Sequence, residues 1–202
     1  MVEYRRKISK GMGFSDQLGL RNPQMVSEFT GEIYRDMREQ EKHRKIDPDY
    51  MDKLQNSDEV KDTSRAFLIE WLIDVHRKFR LVSETLYVTI FIIDQYLSIE
   101  SVKKADLHLI GVTALLIATK YEEIYPPRLK ELIQVSENKF TKEEILKLEQ
   151  KILQTLQFEF NTPSAYRFLE RFSQLSSVVG NDGQIFFFAQ YILEISLMDF
   201  SL

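Results

Sequence analysis

The sequence contains no cysteine, and this absence limits the chemistry open to it. Without thiols there is neither a disulfide framework nor a thiolate metal site, which fits a reducing compartment. Only 7 glycines and 5 prolines interrupt the 202 residues, so long helices are favoured over a turn-rich β fold. No apolar run approaches the roughly 20 residues that cross a bilayer, and the N-terminus lacks the apolar stretch of a secretory signal. We expect a soluble cytoplasmic or nuclear protein.

The usual signatures of an active site are also missing. The three histidines, at positions 43, 76 and 108, are scattered without the spacing of metal ligands. There is no P-loop and no complete dinucleotide fingerprint. The neighbours Glu122 and Glu123 would diverge by about 100° on a helix, which is poor geometry for an acid and base pair. The sequence therefore predicts no catalytic residue, no metal site and no cofactor, and its net charge of -4 argues against a broad nucleic-acid surface.

What is present is helical periodicity over most of the chain. We divide the sequence into a flexible basic tail (1–22), an N-terminal helix with a connector (23–62), a dense five-helix unit (63–159) and the start of a second unit (160–202). The expected helices run from Gln24 to His43, Tyr50 to Leu54, Ser64 to Arg80, Ser83 to Leu97, Asp106 to Glu122, Arg128 to Val135, Thr141 to Leu156, Thr162 to Leu175 and Gln184 to Met198.

Three of these helices begin at recognisable capping residues. Ser83 is expected to be the N-cap of its helix. Thr141, with Glu144 three residues later, has the spacing of a capping box. Thr162 and Pro163 suit an N-cap followed by a proline in the first helical position. Before the last helix, a turn is expected at 180–183.

The last predicted helix is too apolar to be exposed to water on all sides. Its large apolar side chains are Phe186, Phe187, Phe188, Ile192, Ile195 and Leu197. Either it packs under the first five helices, or the chain is a piece of a longer protein.

The helix that starts at Ser64 has two distinct faces. Its core face is a stripe at helical spacing, made of Leu68, Leu72, Val75 and Phe79. Phe67 and Trp71 lie on another face, and Asp74 continues that row. One interpretation is a central helix buried on most sides. The other is a surface groove beside Trp71 with an acidic rim, suited to a peptide that carries Arg or Lys and an apolar residue.

The helix ending near Glu122 combines small residues with a terminal cation. Gly111, Ala114 and Ala118 recur at spacings of three and four, so other helices can approach closely. By pattern alone, Lys120 is a cation well placed near a helix C-terminus, and Glu149 is a solvated residue midway along its own helix.

Several segments, in the same order, resemble the cyclin box. Residues 64–75, SRAFLIEWLIDV, resemble the family signature MRAILVDWLVEV. Residues 83–87, SETLY, and 93–98, IDQYLS, resemble NETLH and YIDRFLS. Residues 118–127, ATKYEEIYPP, resemble ASKFEEIYPP almost residue for residue, and residues 153–158 match the fifth helix of the family. The similarity covers about residues 27 to 199 and is greatest to the mitotic, A- and B-type branch.

The resemblance implies an all-α cyclin fold. A five-helix cyclin box would follow an N-terminal helix, and a second repeat would be present only in part. It further implies a regulatory subunit that binds and activates a cyclin-dependent Ser/Thr kinase, helps to recruit its substrates and controls cell-cycle progression, with no catalytic site of its own. Neither nucleic acid nor membrane is an expected partner. Two alternatives stay open: an atypical or transcriptional cyclin, and a cyclin-repeat transcription factor that binds DNA.

The resemblance also assigns roles to individual positions. The kinase-binding positions are Lys120, Tyr121, Glu123, Ile124, Glu149, Leu153 and Phe158. The patch that docks substrates or inhibitors bearing Arg-x-Leu motifs comprises Ser64, Phe67, Leu68, Trp71, Asp74, Leu107 and His108. Arg65 is expected to be structural. Ser64 replaces the methionine of the signature, and His108 stands where A-type members carry glutamine, so the docking patch should differ in shape and polarity.

Overall fold

The computed structural model describes residues 26–43, 46–47, 49–55, 60–160, 162–176 and 183–199. Over these residues the chain is all-α, as predicted. The helices are α1 (Thr30–His43), α2 (Tyr50–Lys53), α3 (Asp62–Phe79), α4 (Ser83–Ile99), α5 (Leu107–Glu122), α6 (Leu129–Val135), α7 (Lys142–Thr155), α8 (Ala165–Ser176) and α9 (Gly183–Ser196), and a 3₁₀ turn at Lys104–Asp106 precedes α5. No helix within the described ranges is long and apolar enough to cross a membrane. The predicted tail at 1–22 and most of the turn at 180–183 lie outside them.

Helix α5 lies at the centre of the five-helix unit. Every residue from Gly111 to Thr119 is buried, and the helix packs against α3, α4 and α7. The small residues permit this closeness, since Ala114 and Ala118 are fully buried. At Gly111 a Cβ atom would lie 2.6 Å from Leu68 Cδ1 of α3. The prediction that these small residues are packed against neighbours is confirmed.

Helix α3 has packing partners on two sides. Leu68, Leu72 and Val75 belong to the main core with α5. Ile69 and Ile73 form a second, smaller cluster with Leu86 and Ile90 of α4, and Leu197 and Met198, which follow α9, pack against it. The broad apolar arc of α3 therefore joins the five-helix unit to the end of the described chain.

A buried ion pair connects three of these elements. Arg65 of α3 donates to both carboxylate oxygens of Asp94 in α4, with Nε–Oδ1 and Nη2–Oδ2 distances of 2.7 Å. Arg65 Nη1 also donates to the carbonyl of Leu197 at 2.9 Å, and the Tyr50 hydroxyl of α2 donates to Asp94 Oδ1 at 2.9 Å. Burial and the neighbouring carboxylate raise the pKa of Tyr50, which keeps it a donor. The structural role expected for Arg65 fits this geometry.

Two predicted helix starts are wrong. Helix α1 begins at Thr30 rather than Gln24, because Val26 has a φ of 46° and a turn closes from Phe29 N–H to the Val26 carbonyl. Helix α8 begins at Ala165 rather than after Thr162, and its first turn is capped by Ser164, whose Oγ accepts from the Arg167 N–H at 3.2 Å. At Thr141, by contrast, the predicted capping box is present.

Helix α9 packs along only part of its surface. It lies against α8, and the turn after it reaches the cluster on α3 through Leu197 and Met198. Phe187, Phe188 and Tyr191 are more than half exposed. The first alternative, packing under the first five helices, therefore holds only where the chain leaves the C-terminal end of α9.

We predict that overfilling α5 destabilises the fold. Replacing Ala118 by Leu adds three carbons where no space exists, which should lower the free energy of unfolding by about 1–3 kcal/mol. Urea denaturation gives the value, and the exposed Ala165→Leu variant is the control. An Ala118→Leu variant as stable as the parent would show that α5 is not the tightly packed centre.

We also predict that the Arg65–Asp94 pair behaves as a unit. Arg65→Met leaves a buried carboxylate without its cation and should cost about 3–5 kcal/mol of stability. The double variant Arg65→Met, Asp94→Leu should cost clearly less than the sum of the single changes, because no charge stays buried. The exposed pair Arg38–Glu41 provides the control, since Arg38→Met should change stability by less than about 1 kcal/mol. Additive costs in the cycle would contradict the coupling.

Candidate functional site

The structure brings together Lys120 and Glu149, two of the positions that the resemblance assigns to kinase binding. Lys120 lies in the last turn of α5 and Glu149 midway along α7, and the Lys120 Nζ–Glu149 Oε1 distance is 2.6 Å. The lysine side chain is 50% exposed and the glutamate side chain 13%. The packing of α7 against α5 thus places this ion pair at the protein surface, with the lysine reaching towards solvent.

Exposed apolar side chains accompany this pair. Tyr121 and Ile124 follow Lys120 in the chain, and Ile124 is 86% exposed. Phe158 is 65% exposed just beyond α7, where Gln157 and Phe158 adopt left-handed φ values of 52° and 60° that end the helix. Leu153 is partly buried against the core. We call Lys120, Tyr121, Ile124, Glu149, Leu153 and Phe158 the α5–α7 surface.

Two residues belong with this surface but were missed in the sequence. Tyr125, next to Ile124, is 91% exposed. Leu146 is also exposed, and it precedes Glu149 by three residues and Leu153 by seven, so the three share one helix face. The spacing along α7 was a usable signal for Leu146, whereas the exposure of Tyr125 depends on how the chain leaves α5.

Glu123 has a different position from its predicted neighbours. It is half-buried, and its Oε1 accepts from the Val82 N–H at 2.8 Å and from the Thr85 hydroxyl at 2.6 Å. It therefore caps the start of α4. The prediction of Ser83 as N-cap is wrong: Val82 precedes the helix without a side-chain cap, and Ser83 Oγ instead accepts from Gln190 at 3.2 Å. The kinase contact that the resemblance implies for Glu123 stays a prediction.

A second feature is a groove between α3 and the start of α5, with a volume of about 310 Å³. We call it the α3–α5 groove. Six of its lining residues were predicted as a docking patch: Ser64, Phe67, Leu68, Trp71, Leu107 and His108. Phe67 is 70% exposed, whereas Leu68 and Leu107 are buried and form the floor. Trp71 is half-buried, so α3 has an open apolar face in addition to its core face.

Aromatic packing fixes one side of the groove. The His108 ring lies edge-on to Trp71, with centroids 4.4 Å apart, and to Phe140, with centroids 5.4 Å apart. Burial, with a smaller effect of Lys139, lowers the pKa of His108, so the ring is neutral at pH 7. Its Nε2 is buried and has no hydrogen-bond partner among the described residues.

The groove differs from the predicted patch at its charged rim. Asp74 is exposed on α3 but is not among the lining residues. Thr63 and Lys104 line the groove and were missed. Thr63 could have been found one residue before the predicted patch. Nothing in the local sequence pointed to Lys104, because its position depends on how the 3₁₀ turn approaches α3.

Comparison with known proteins identifies the family of this chain. Residues 32–161 match the sequence profile described as Cyclin, N-terminal domain. The chain belongs to the cyclin family. That match spans α1 to the end of α7, and it contains both the α5–α7 surface and the α3–α5 groove.

The similar proteins include cyclins of the A and B types. The chain is 38% identical over 198 residues to a G2/mitotic-specific cyclin-B of Marthasterias glacialis, covering 98% of this chain and 49% of that protein. It is 39% identical to Cyclin-B2-1 and to Cyclin-A1-4 of Oryza sativa subsp. japonica, covering 90% of this chain in both cases and 42% and 51% of those proteins. The chain thus spans about half the length of the curated relatives it matches.

Among solved structures, the fold resembles a viral cyclin from herpesvirus saimiri. The TM-score is 0.66 at 21% sequence identity, and the match covers 80% of this chain and 71% of that chain. The cyclin fold is therefore shared. In the parts of the chain that the structure describes, no group of three His, Asp or Glu side chains is placed to hold a metal ion.

We predict that Glu123 contributes to folding stability. Glu123→Ala removes the acceptor for the Val82 N–H and the Thr85 hydroxyl, and losing such a cap should cost about 0.5–2 kcal/mol. Burial raises the pKa of the adjacent Glu122, so carrying this carboxylate ionised into the fold costs free energy. Glu122→Ala should therefore leave stability unchanged or increase it. Thermal unfolding measures the stability of both variants. Equal stabilities of Glu123→Ala and Glu122→Ala would contradict the capping role of Glu123.

Proposed function

We propose that this cyclin is a regulatory subunit that binds and activates a cyclin-dependent Ser/Thr protein kinase through its α5–α7 surface. The observation that carries the proposal is the Lys120–Glu149 ion pair at the meeting point of α5 and α7, together with the exposed apolar side chains on and just beyond these two helices. The similarity to a G2/mitotic-specific cyclin-B supports the same role.

The chemistry of the surface suits a protein partner. Ile124, Tyr125 and Phe158 offer large apolar groups to water, and burying each would favour association by about 1.5–3 kcal/mol. Lys120 provides an ammonium donor and Glu149 a carboxylate acceptor. Hydrogen bonds to such charged groups strengthen when water is excluded around them, so the pair would fix the register of a partner helix.

The α3–α5 groove would recruit substrates of the bound kinase. Trp71 and the buried Leu68 and Leu107 form an apolar receptacle for a leucine of an Arg-x-Leu segment. The arginine of that segment would pair with the exposed Asp74, an interaction worth about 1 kcal/mol or less. Because Ser64 stands where the cyclin signature has methionine, the receptacle should be wider.

We predict that Lys120 and Glu149 anchor the kinase. Replacing either with Ala should weaken binding to a purified mitotic cyclin-dependent kinase by about 1–3 kcal/mol, because its charged hydrogen bonds become desolvated in the complex. In Glu149→Ala the half-exposed Lys120 stays solvated, so the free energy of unfolding of that variant should change by less than about 1 kcal/mol. Calorimetric titration and urea denaturation measure the two quantities.

The same helix offers a matched control. Lys151 pairs with Glu100 at 2.6 Å and is 54% exposed, but it lies two residues from Glu149, on another side of α7. Lys151→Ala should leave kinase affinity unchanged.

Unchanged affinity in the Lys120→Ala, Glu149→Ala double variant would exclude the pair as anchors. Salt-dependent DNA binding without kinase binding would favour a cyclin-repeat transcription factor instead.

A further inference from the structure

The α3–α5 groove has a cationic rim that the proposed docking of an Arg-x-Leu segment does not use. Among its lining residues the one permanent charge is Lys104, at the start of the 3₁₀ turn. His108 is the other ionisable lining residue. Asp74 and Asp106 are exposed nearby but do not line the groove.

Lys104 is available to a ligand. It takes part in none of the ion pairs formed among the described residues, and it is exposed. Thr63 and Ser64 line the same groove, and each carries a hydroxyl that can donate a hydrogen bond. An ammonium and two hydroxyls beside an apolar floor are complementary to a carboxylate next to an apolar side chain.

The apolar floor and the lysine would contribute differently to recognition. Burial of an apolar side chain against Trp71 and Leu107 supplies most of the affinity. An exposed ion pair adds little affinity, but it discriminates between partners, since a basic side chain at the same position would be repelled.

We propose that this groove prefers docking segments that carry an acidic residue close to their apolar anchoring residue. We further propose that Lys104 recognises that acidic residue. The proposal rests on the proposed recruitment of substrates by the groove. It predicts that the preferred substrates or inhibitors carry Asp or Glu within a few residues of the anchoring leucine.

Three labelled synthetic peptides test the proposal by fluorescence anisotropy. All three contain the core Arg-Ala-Leu-Phe. The first peptide has Gln on both sides of this core, the second has two Glu residues before it, and the third has two Glu residues after it. We expect one of the two Glu peptides to bind about two- to fivefold more tightly than the Gln peptide. The preference should shrink as salt rises from about 0.05 to 0.5 M, because the groove is open to solvent.

Variants of two adjacent lysines assign the preference. Lys104→Gln should abolish the discrimination and Lys104→Glu should reverse it, with affinity for the Gln peptide nearly unchanged. Lys103→Gln is the matched control: Lys103 is exposed and next in sequence, but it does not line the groove. It should keep the full preference.

The outcomes separate this proposal from the one on which it rests. If all three peptides bind equally and Trp71→Ala abolishes binding, the groove docks peptides but the selection by Lys104 is refuted. If no peptide binds, docking in the groove is refuted as well, while kinase binding through the α5–α7 surface is untouched. Self-association of the chain that Trp71→Ala abolishes would assign the groove to a second copy and overturn the proposal.

Discussion

The fold depends on the Arg65–Asp94 ion pair, because it satisfies a buried charge on each of two central helices. Its guanidinium spans α3 and α4 and also reaches the Leu197 carbonyl beyond α9, while Tyr50 of α2 donates to the same carboxylate. Removing two charges from water costs free energy, and the hydrogen bonds from Arg65 and Tyr50 offset that cost. Elements more than 130 residues apart in sequence are thereby held in one arrangement.

Both candidate surfaces follow from the way α5 is packed. Its small residues let α3 approach on one side, which creates the groove beside Trp71 and His108. Its C-terminal turn meets α7, which brings Lys120 to Glu149. A helix that is buried along almost its whole length therefore contributes to recognition only at its two ends, and the two ends serve different surfaces.

The sequence predicted what depends on local pattern. Apolar spacing placed the helices, and the capping box at Thr141 was readable because its partner Glu144 lies three residues away. The cap of α4 could not be read from the local sequence, because Glu123 lies 41 residues from Val82 in the chain. The start of α8 was misjudged because Thr162 and Ser164 both suit an N-cap, and only backbone geometry selects Ser164. Similarly, Lys104 lines the groove because the 3₁₀ turn and α3 lie close together, and no local sequence pattern predicts that proximity.

The ion pair on the α5–α7 surface has a consequence for the speed of association. Lys120 and Glu149 neutralise each other in the free chain, so this pair presents little net charge at a distance. Long-range attraction accelerates encounters only when a net potential extends beyond about a Debye length. Association through this surface should therefore proceed at the rates of weakly steered complexes, about 10⁵–10⁷ M⁻¹s⁻¹. The lifetime of the complex would then be set by the exposed apolar side chains of the same surface.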